Sequence, residues 1–489
     1  MPVGYFRTMG NPKTDWRYRT EPDAGIAERS ISWPRGRVLG GSSSINGLLY
    51  VRGQPQDFDH WAQLGCTGWG WDDVLPFFKR SETWKGPNPD ALRGTDGPLS
   101  VQDTRLRRQI VDDWIDAAVA AGYRRSPDYN GEDQEGVGHF QLTMIGGRRC
   151  SSAVAYLKPA RARKNLHVLT DAQTEKVLIE DGRAVGVRAR VNGTSTDIRA
   201  RREVILSAGA IGSPQILMLS GVGDAEELRP HGIDVAAHLP GVGKNLQDHL
   251  QARPVFKTDL STINTETDNV FKQAMIGLRY VLTQTGPMTM AASLGTGFLK
   301  TEPHLETPDI QFHIQPFSAD SPGEGPHKFS AFTASVLQLR PESTGRIALR
   351  SANIDDHPSI HPNYLATTTD CRTIVKGIQI ARRIAQFEPL KSHITEEHAP
   401  GEGVAFDDED AILDWARRTS VTIYHPTGTC KMGIDDQAVV DPRLRVRGIQ
   451  ALRVADASIM PQIVSGNTNA PAIMIGEKAS ALVLEDAGA

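Results

Sequence analysis

The run Val204-Ile205-Leu206-Ser207-Ala208-Gly209-Ala210, followed by Gly212-Ser213-Pro214-Gln215, restricts the fold more than any other part of this 489-residue chain. Its apolar start is a buried strand and its small residues form a turn. Pro214 suits the first turn of a helix that runs to Leu219. A strand feeding a small-residue turn and then a helix N-terminus is the ligand-facing end of a doubly wound α/β sheet.

A second constraint is the stretch from Gly36 to Tyr50, with Gly40-Gly41 followed by Ser42-Ser43-Ser44. Adjacent glycines let the backbone take positive φ or press against a ligand, and the serines add donors for anions. Val38-Leu39 before it and Leu48-Leu49 after it anchor the turn in a core. An ordinary tight turn would have the same composition, so the glycines and serines alone do not settle a ligand. Gly241-Val242-Gly243 follows a proline and lacks the third glycine, so it is a turn and not a dinucleotide fingerprint.

The rest of the chain divides by periodicity. Asp57–Gly65, Trp69–Phe78, Ile110–Ala121, Val270–Thr283, Thr369–Ile384 and Asp408–Arg418 have helical spacing, and Lys85–Leu99 is a Gly/Pro/Asp linker. Strands are expected at His167–Leu169, Thr174–Ile179, Ala184–Val191 and Ile198–Ser207. Ile310–Ile314, Ala331–Leu339 and Gly345–Ser351 are expected to share one antiparallel sheet in a second domain that begins near Ser261. A net charge of −4 with no basic stripe disfavours nucleic acid as a partner. No apolar run reaches the roughly 18 residues of a membrane span. The four cysteines lack metal spacing and are expected as free thiols in a reducing cytosol.

The C-terminal third carries the candidate chemistry. His425 stands before a Pro/Gly turn, Leu452–Val454 is a strand leading to Asp456-Ala457, and Asn467 and Asn469 open a helix from Ala472 to Leu484. Oxidising an alcohol takes a proton acceptor, for which histidine is suited at neutral pH, and a donor that holds the oxygen as charge develops. It also takes an organic hydride acceptor, since no side chain can serve. Taken alone, His425 could be structural and Asn467 a helix N-cap. A serine hydrolase is disfavoured by the absence of G-x-S-x-G.

Gly36–Gly53, Ser207–Gly223, Tyr424–Gly433 and Gly466–Glu477 together resemble, in order, the motifs of the glucose-methanol-choline (GMC) flavin oxidoreductases, most closely the choline dehydrogenase and alcohol dehydrogenase branch. The resemblance covers essentially the whole chain. It implies an α/β fold: a Rossmann-like FAD-binding domain with an α+β substrate domain built on an antiparallel sheet. The FAD-binding segments would be 1–90, 151–260 and 421–489, interleaved with substrate segments 91–150 and 261–420. It implies His425 as base and Asn467 as the partner of the substrate oxygen, with hydride passing to flavin N5. FAD contacts are expected at Val38, Gly40, Gly41, Asn46, Gly47, Leu48, Leu49, Asp456 and Ala457, and at Thr174 through its backbone. Ile45 stands where some relatives carry a flavin-linked histidine, which implies non-covalent FAD; no metal is expected. The implied partners are a small alcohol and an electron acceptor (quinone, another carrier or oxygen). The expected location is cytoplasmic, with peripheral contact to the inner face of the membrane left open.

The family opens with a βαβ unit carrying G-x-G-x-x-G, and this sequence has none. The Rossmann-like domain is therefore expected to be incomplete at its N-terminus, the chain a truncated one with weak FAD binding and poor folding. A catalytically dead remnant of the same fold is the alternative. A non-redox flavin protein such as a hydroxynitrile lyase is a third reading.

Overall fold

The structure is a computed structural model that describes residues 1–87, 91–267, 269–320 and 325–488. Two helices, α1 (Pro55–Gln63) and α2 (Trp71–Ser81), follow the Gly/Ser turn, and α3 (Gln109–Ala120) precedes strand β1 (Gly136–His139). The expected linker at Lys85–Leu99 lies partly outside the described residues, at 88–90. Next come β2 (Ala172–Glu180), β3 (Arg183–Val191), β4 (Thr194–Arg199) and β5 (Val204–Leu206), then α4 (Gly209–Leu219). Strands β6 (Leu250–Ala252) and β7 (Val255–Thr258) are followed by α5 (Val270–Thr283). They are succeeded by β8 (Gly295–Leu299), β9 (Ile310–Gln315), β10 (Ala331–Gln338), β11 (Arg346–Ala348), β12 (Ser359–His361) and α6 (Thr368–Ile384). The chain closes with β13 (Ile394–Ala399), α7 (Glu409–Thr419), β14 (Val421–Thr422), β15 (Leu452–Val454) and α8 (Asn469–Asp486).

The fold is mixed α/β, with a Rossmann-like unit and a large antiparallel sheet. In the Rossmann-like unit β5 and β15 pair in parallel, Val204 opposite Leu452 and Leu206 opposite Val454. The antiparallel β2–β3–β4 sheet lies beside them in sequence. In the other unit eight strands form one sheet in the order β13–β7–β10–β9–β8–β1, with β6 joining β10 to β14. Every pairing in it is antiparallel.

The alternation Ile310-Gln311-Phe312-His313-Ile314-Gln315 sorts β9 onto two faces, because successive side chains point opposite ways. Ile310, Phe312 and Ile314 join the main core, where Phe312 meets Trp114 of α3 at 5.5 Å between ring centroids. Gly295 of β8 lets α3 approach, since a Cβ there would lie 2.8 Å from Val111 Cγ1. Gln311, His313 and Gln315 are left for the opposite face.

Several expectations are corrected. Residues 167–169 join no ladder, and β2 begins only at Ala172. The expected strand at Ile198–Ser207 is two: β4, antiparallel to β3, and β5, parallel to β15. Gly345–Ser351 contributes β11, which pairs with β12 in a separate hairpin outside the large sheet. That sheet also takes β1, Gly136–His139, and β6, Leu250–Ala252, both of them ahead of Ser261.

Pro214 lies well inside α4 rather than in its first turn. The helix starts earlier because the Asp456 carboxylate accepts from the Gly209 N–H at 2.9 Å and from Ser213 Oγ at 2.5 Å. A proline has no N–H for the carbonyl four residues back, here Ala210. Thr429 Oγ1 donates to that carbonyl at 2.6 Å and replaces the lost bond.

Candidate active site

The antiparallel sheet and the Rossmann-like unit enclose a cavity of about 1010 Å³. That is the upper end of the range for small-molecule and cofactor sites. Its wall draws on Gly40–Ser43, Ile45–Leu49, Ser207–Gly212, Asp456-Ala457, His425, Asn467 and the polar faces of β6 and β9.

Gly40 and Gly41 have φ of 87° and 53°, and the backbone doubles into a short 3-10 turn over Gly41–Ser44. Two of the three serine hydroxyls, Ser43 and Ser44, donate within the loop. Ser42 Oγ accepts from Gly36 N–H, Ser43 Oγ pairs with Ser152, and Ser44 Oγ donates to the Leu39 carbonyl. They close the loop and leave its backbone to face the cavity. Arg149 clamps the next residues, donating to Asn46 Oδ1 and to the Asn46 carbonyl, each at 2.6 Å. Burial brings its guanidinium down to about 10.

Of the expected FAD contacts, Gly40, Gly41, Asn46, Gly47, Leu48, Leu49, Asp456 and Ala457 line the cavity. Val38 and Thr174 do not. Val38 is turned into the loop, its carbonyl accepting from Gly41 N–H at 2.8 Å. Thr174 sits in the β2–β3 ladder opposite Ala189. The remaining residues fit a flavin dinucleotide in kind. The N-terminus of the eleven-residue α4 opens on the cavity at Gly209, where a Cβ would have nothing within 4 Å. The Gly209 N–H itself is held by the Asp456 carboxylate.

His425 and Asn467, 42 residues apart, meet with His425 Nε2 3.0 Å from Asn467 Nδ2. Asn467 does not cap α8, whose N-cap is Thr468; Asn469 is the first residue of that helix. The Asn467 Oδ1 accepts from Gln311 Nε2 at 3.3 Å, which orients its amide nitrogen toward the histidine.

Behind His425 lies His249, which the sequence reading did not single out. The two Nδ1 atoms are 3.0 Å apart, and His249 Nε2 is 2.8 Å from the Leu339 carbonyl. A carbonyl only accepts, so Nε2 of His249 carries the hydrogen and its Nδ1 is the acceptor. His425 therefore donates from Nδ1 and keeps a bare Nε2 lone pair at the cavity. Asp248 holds the backbone of this turn, accepting from His425 N–H at 2.7 Å and from the Thr422 and Tyr364 hydroxyls.

Burial, first of all, holds both rings neutral. His249 is brought down to about 4 and His425 well below its ordinary 6.5, with His249 and His313 adding repulsion to the latter. His313 is pushed to about 3 by burial and by His249. Asp248 rises to about 6, burial outweighing its hydrogen bonds. The sequence signal for His249 is the alternation His249-Leu250-Gln251-Ala252-Arg253, whose odd positions share one strand face. Among the described residues no group of side chains could hold a metal ion.

Comparison with known proteins agrees with the geometry. The N-terminal GMC oxidoreductase model matches residues 21–251 and the C-terminal GMC oxidoreductase model residues 341–476. The chain is 43% identical over 490 residues to an oxygen-dependent choline dehydrogenase of Brucella suis biovar 1, covering 99% of this chain and 88% of the relative. It is 41% identical over 487 residues to an alcohol dehydrogenase [acceptor] of Pseudomonas putida, with the same coverage of 99% and 88%. The crystal structure of pyridoxine 4-oxidase from Mesorbium loti superposes with a TM-score of 0.87 at 29% identity, over 98% of this chain and 90% of that one.

Proposed function

The chain belongs to the GMC oxidoreductase family, FAD-dependent enzymes acting on CH–OH groups, and we propose that it oxidises an alcohol to an aldehyde or ketone with His425 as base and Asn467 as oxygen partner. FAD, when bound, supplies the two-electron acceptor that no side chain provides. The observation that carries the reading is the 3.0 Å approach of Asn467 Nδ2 to His425 Nε2 at the cavity wall. A substrate hydroxyl that takes the place of the Asn467–His425 bond donates its proton to the Nε2 lone pair while its oxygen accepts from the Asn467 amide. The neutral state of His425 makes it ready to accept that proton. Its Nδ1–H stays bonded to His249, which shares the imidazolium charge as it forms. The intact Leu339–His249–His425–Asn467 chain supports this reading over a catalytically dead remnant.

The eight cavity-lining residues would hold FAD, and Ile45 in the glycine loop supports non-covalent attachment. We keep the five-segment division as a proposal, since the sheet takes strands from well-separated parts of the chain. The cycle is completed by an acceptor: a quinone, another carrier or oxygen. A cytoplasmic location is supported by four cysteines without disulfides. Among the described residues no helix is long and apolar enough to cross a membrane. Peripheral contact with one is supported by α5, which exposes Val270, Phe271, Met275, Val281 and Leu282 beside Arg279.

Anaerobic mixing of the flavin-loaded protein with a panel of alcohols tests the reading. Bleaching of the flavin absorbance by an alcohol supports it, and a spectrum unchanged by every alcohol overturns it.

A further inference from the structure

Resting on the alcohol-oxidation reading, we propose that the substrate carries an anionic group, a carboxylate in the first instance, that pairs with Arg253 at the end of the chamber away from His425. A quaternary ammonium alcohol of the choline kind is the wrong charge for this wall.

The polar side of the sheet presents His249, Gln251 and Arg253 from one strand and Gln311, His313 and Gln315 from another. The side chains of Gln251, Arg253, His313 and Gln315 line the cavity, and all are buried. Arg253 is 9% exposed, and among the described residues its guanidinium makes no hydrogen bond or ion pair. A buried cation without a counter-charge is costly, and a bound anion removes that cost. Gln251 Oε1, Gln315 Oε1 and His313 Nε2 are also buried without partners, so the wall holds unused polar atoms around the cation.

The carboxylates bordering the cavity are already engaged by other groups. Asp456 is bonded to Gly209, Ser213 and Ser458, and Glu477 to Tyr156 and Arg80. Aromatic rings could hold an ammonium by its positive charge. Tyr5 and Tyr424 line the chamber, yet Arg253 is the cation that acts most strongly on both phenols. The place beside these rings is already taken by positive charge.

Spacing sets the shape of the substrate. His249, which marks the catalytic end, and Arg253 are four positions apart along nearly extended chain, on the order of 13 Å. The carbinol and the anionic group therefore belong at opposite ends of the molecule. Stacked Tyr5 and Phe6, with Phe317 edge-on to Phe6 at 5.4 Å, supply an apolar flank for the carbons between.

The test uses the flavin-loaded protein, an artificial electron acceptor and three alcohols on the same six-carbon chain: ω-hydroxyhexanoate, its methyl ester and ω-hydroxyhexyl trimethylammonium. Hexanoate, which cannot be oxidised, gives a dissociation constant by calorimetry. The expected order of kcat/KM is hydroxy acid, then ester, then ammonium. In Arg253→Gln the ratio of hydroxy acid to ester falls about a hundredfold and hexanoate binding weakens by a similar factor. Gln251→Glu, which sets a carboxylate beside the guanidinium, reduces the preference for the acid and raises that for the ammonium, and it reports even if Arg253→Gln fails to fold. A wild-type preference for the ammonium, or hexanoate affinity unmoved by either variant, overturns the proposal. Failure of all three alcohols to reduce the flavin counts against alcohol oxidation itself, while hexanoate binding still decides the role of Arg253.

Discussion

His249 and His425 face each other through their Nδ1 atoms at 3.0 Å, so only one of the two nitrogens carries a hydrogen. The Leu339 carbonyl decides which, and through that choice a backbone oxygen three groups away keeps His425 Nε2 unprotonated, an acceptor for the Asn467 amide.

His425→Ala is expected to lower kcat by about two to four orders of magnitude while flavin stays bound, the range for loss of a general base. Stopped-flow reduction of the flavin measures it. A variant that is reduced at the unaltered rate would remove His425 from the chemistry.

His249→Phe keeps a ring in place but gives His425 nothing to donate to. We expect kcat to fall by roughly ten- to a thousandfold with little change in KM, and the acid limb of the pH profile to move. A purely packing role for His249 would leave the pH profile where it was.

Acid is expected to destabilise the fold over a defined window. His249 and His313 titrate at an ordinary 6.5 when unfolded but at about 4 and about 3 when folded, and His425 well below 6.5. The unfolded chain then binds more protons, so their contribution is full above pH 6.5 and is lost as pH falls toward 4. Asp248, raised from 3.8 to about 6, acts with the opposite sign between those values and offsets part of the loss. Urea midpoints should fall from pH 7 to pH 4.5; a flat profile would mean the rings are not buried neutral.

Thr429→Val keeps the shape of a fully buried side chain and removes its hydroxyl. The Ala210 carbonyl, already denied a partner by Pro214, is then unsatisfied at an expected cost of about 1–3 kcal/mol. Chemical denaturation measures this, and Thr429→Ser should recover most of it.

Vesicles of anionic phospholipid should co-sediment with the protein and should do so much less with Phe271→Ser combined with Leu282→Ser, since those side chains are 87% and 73% exposed on α5. Wild-type protein that stays in the supernatant at low salt would end the membrane reading.

The elements that announce themselves by local chemistry were legible in the sequence. Val270–Thr283 has the same bounds as α5, and the Gly40-Gly41 turn lines the cavity as expected. What escaped depends on partners distant in the chain. Pro214 looked like a helix start because nothing near it shows that Asp456 begins the helix earlier and Thr429 repairs the ladder. Thr174, expected through its backbone, stands opposite Ala189 in the β2–β3 ladder and does not line the cavity. His249 was hidden beside a rejected glycine turn, although the polar–apolar alternation from His249 to Arg253 was there to be read. Asn467 could be told from a helix cap only by seeing His425 across from it.

The bond from Gly209 N–H to Asp456 spans 247 positions of sequence. During synthesis the first turn of α4 is therefore without its carboxylate until nearly the whole chain has left the ribosome, and the large sheet between them has every opportunity to form first. This end of the cavity is thus a late event in folding, and a chain interrupted before Asp456 would keep its antiparallel sheet yet lack the carboxylate that starts α4.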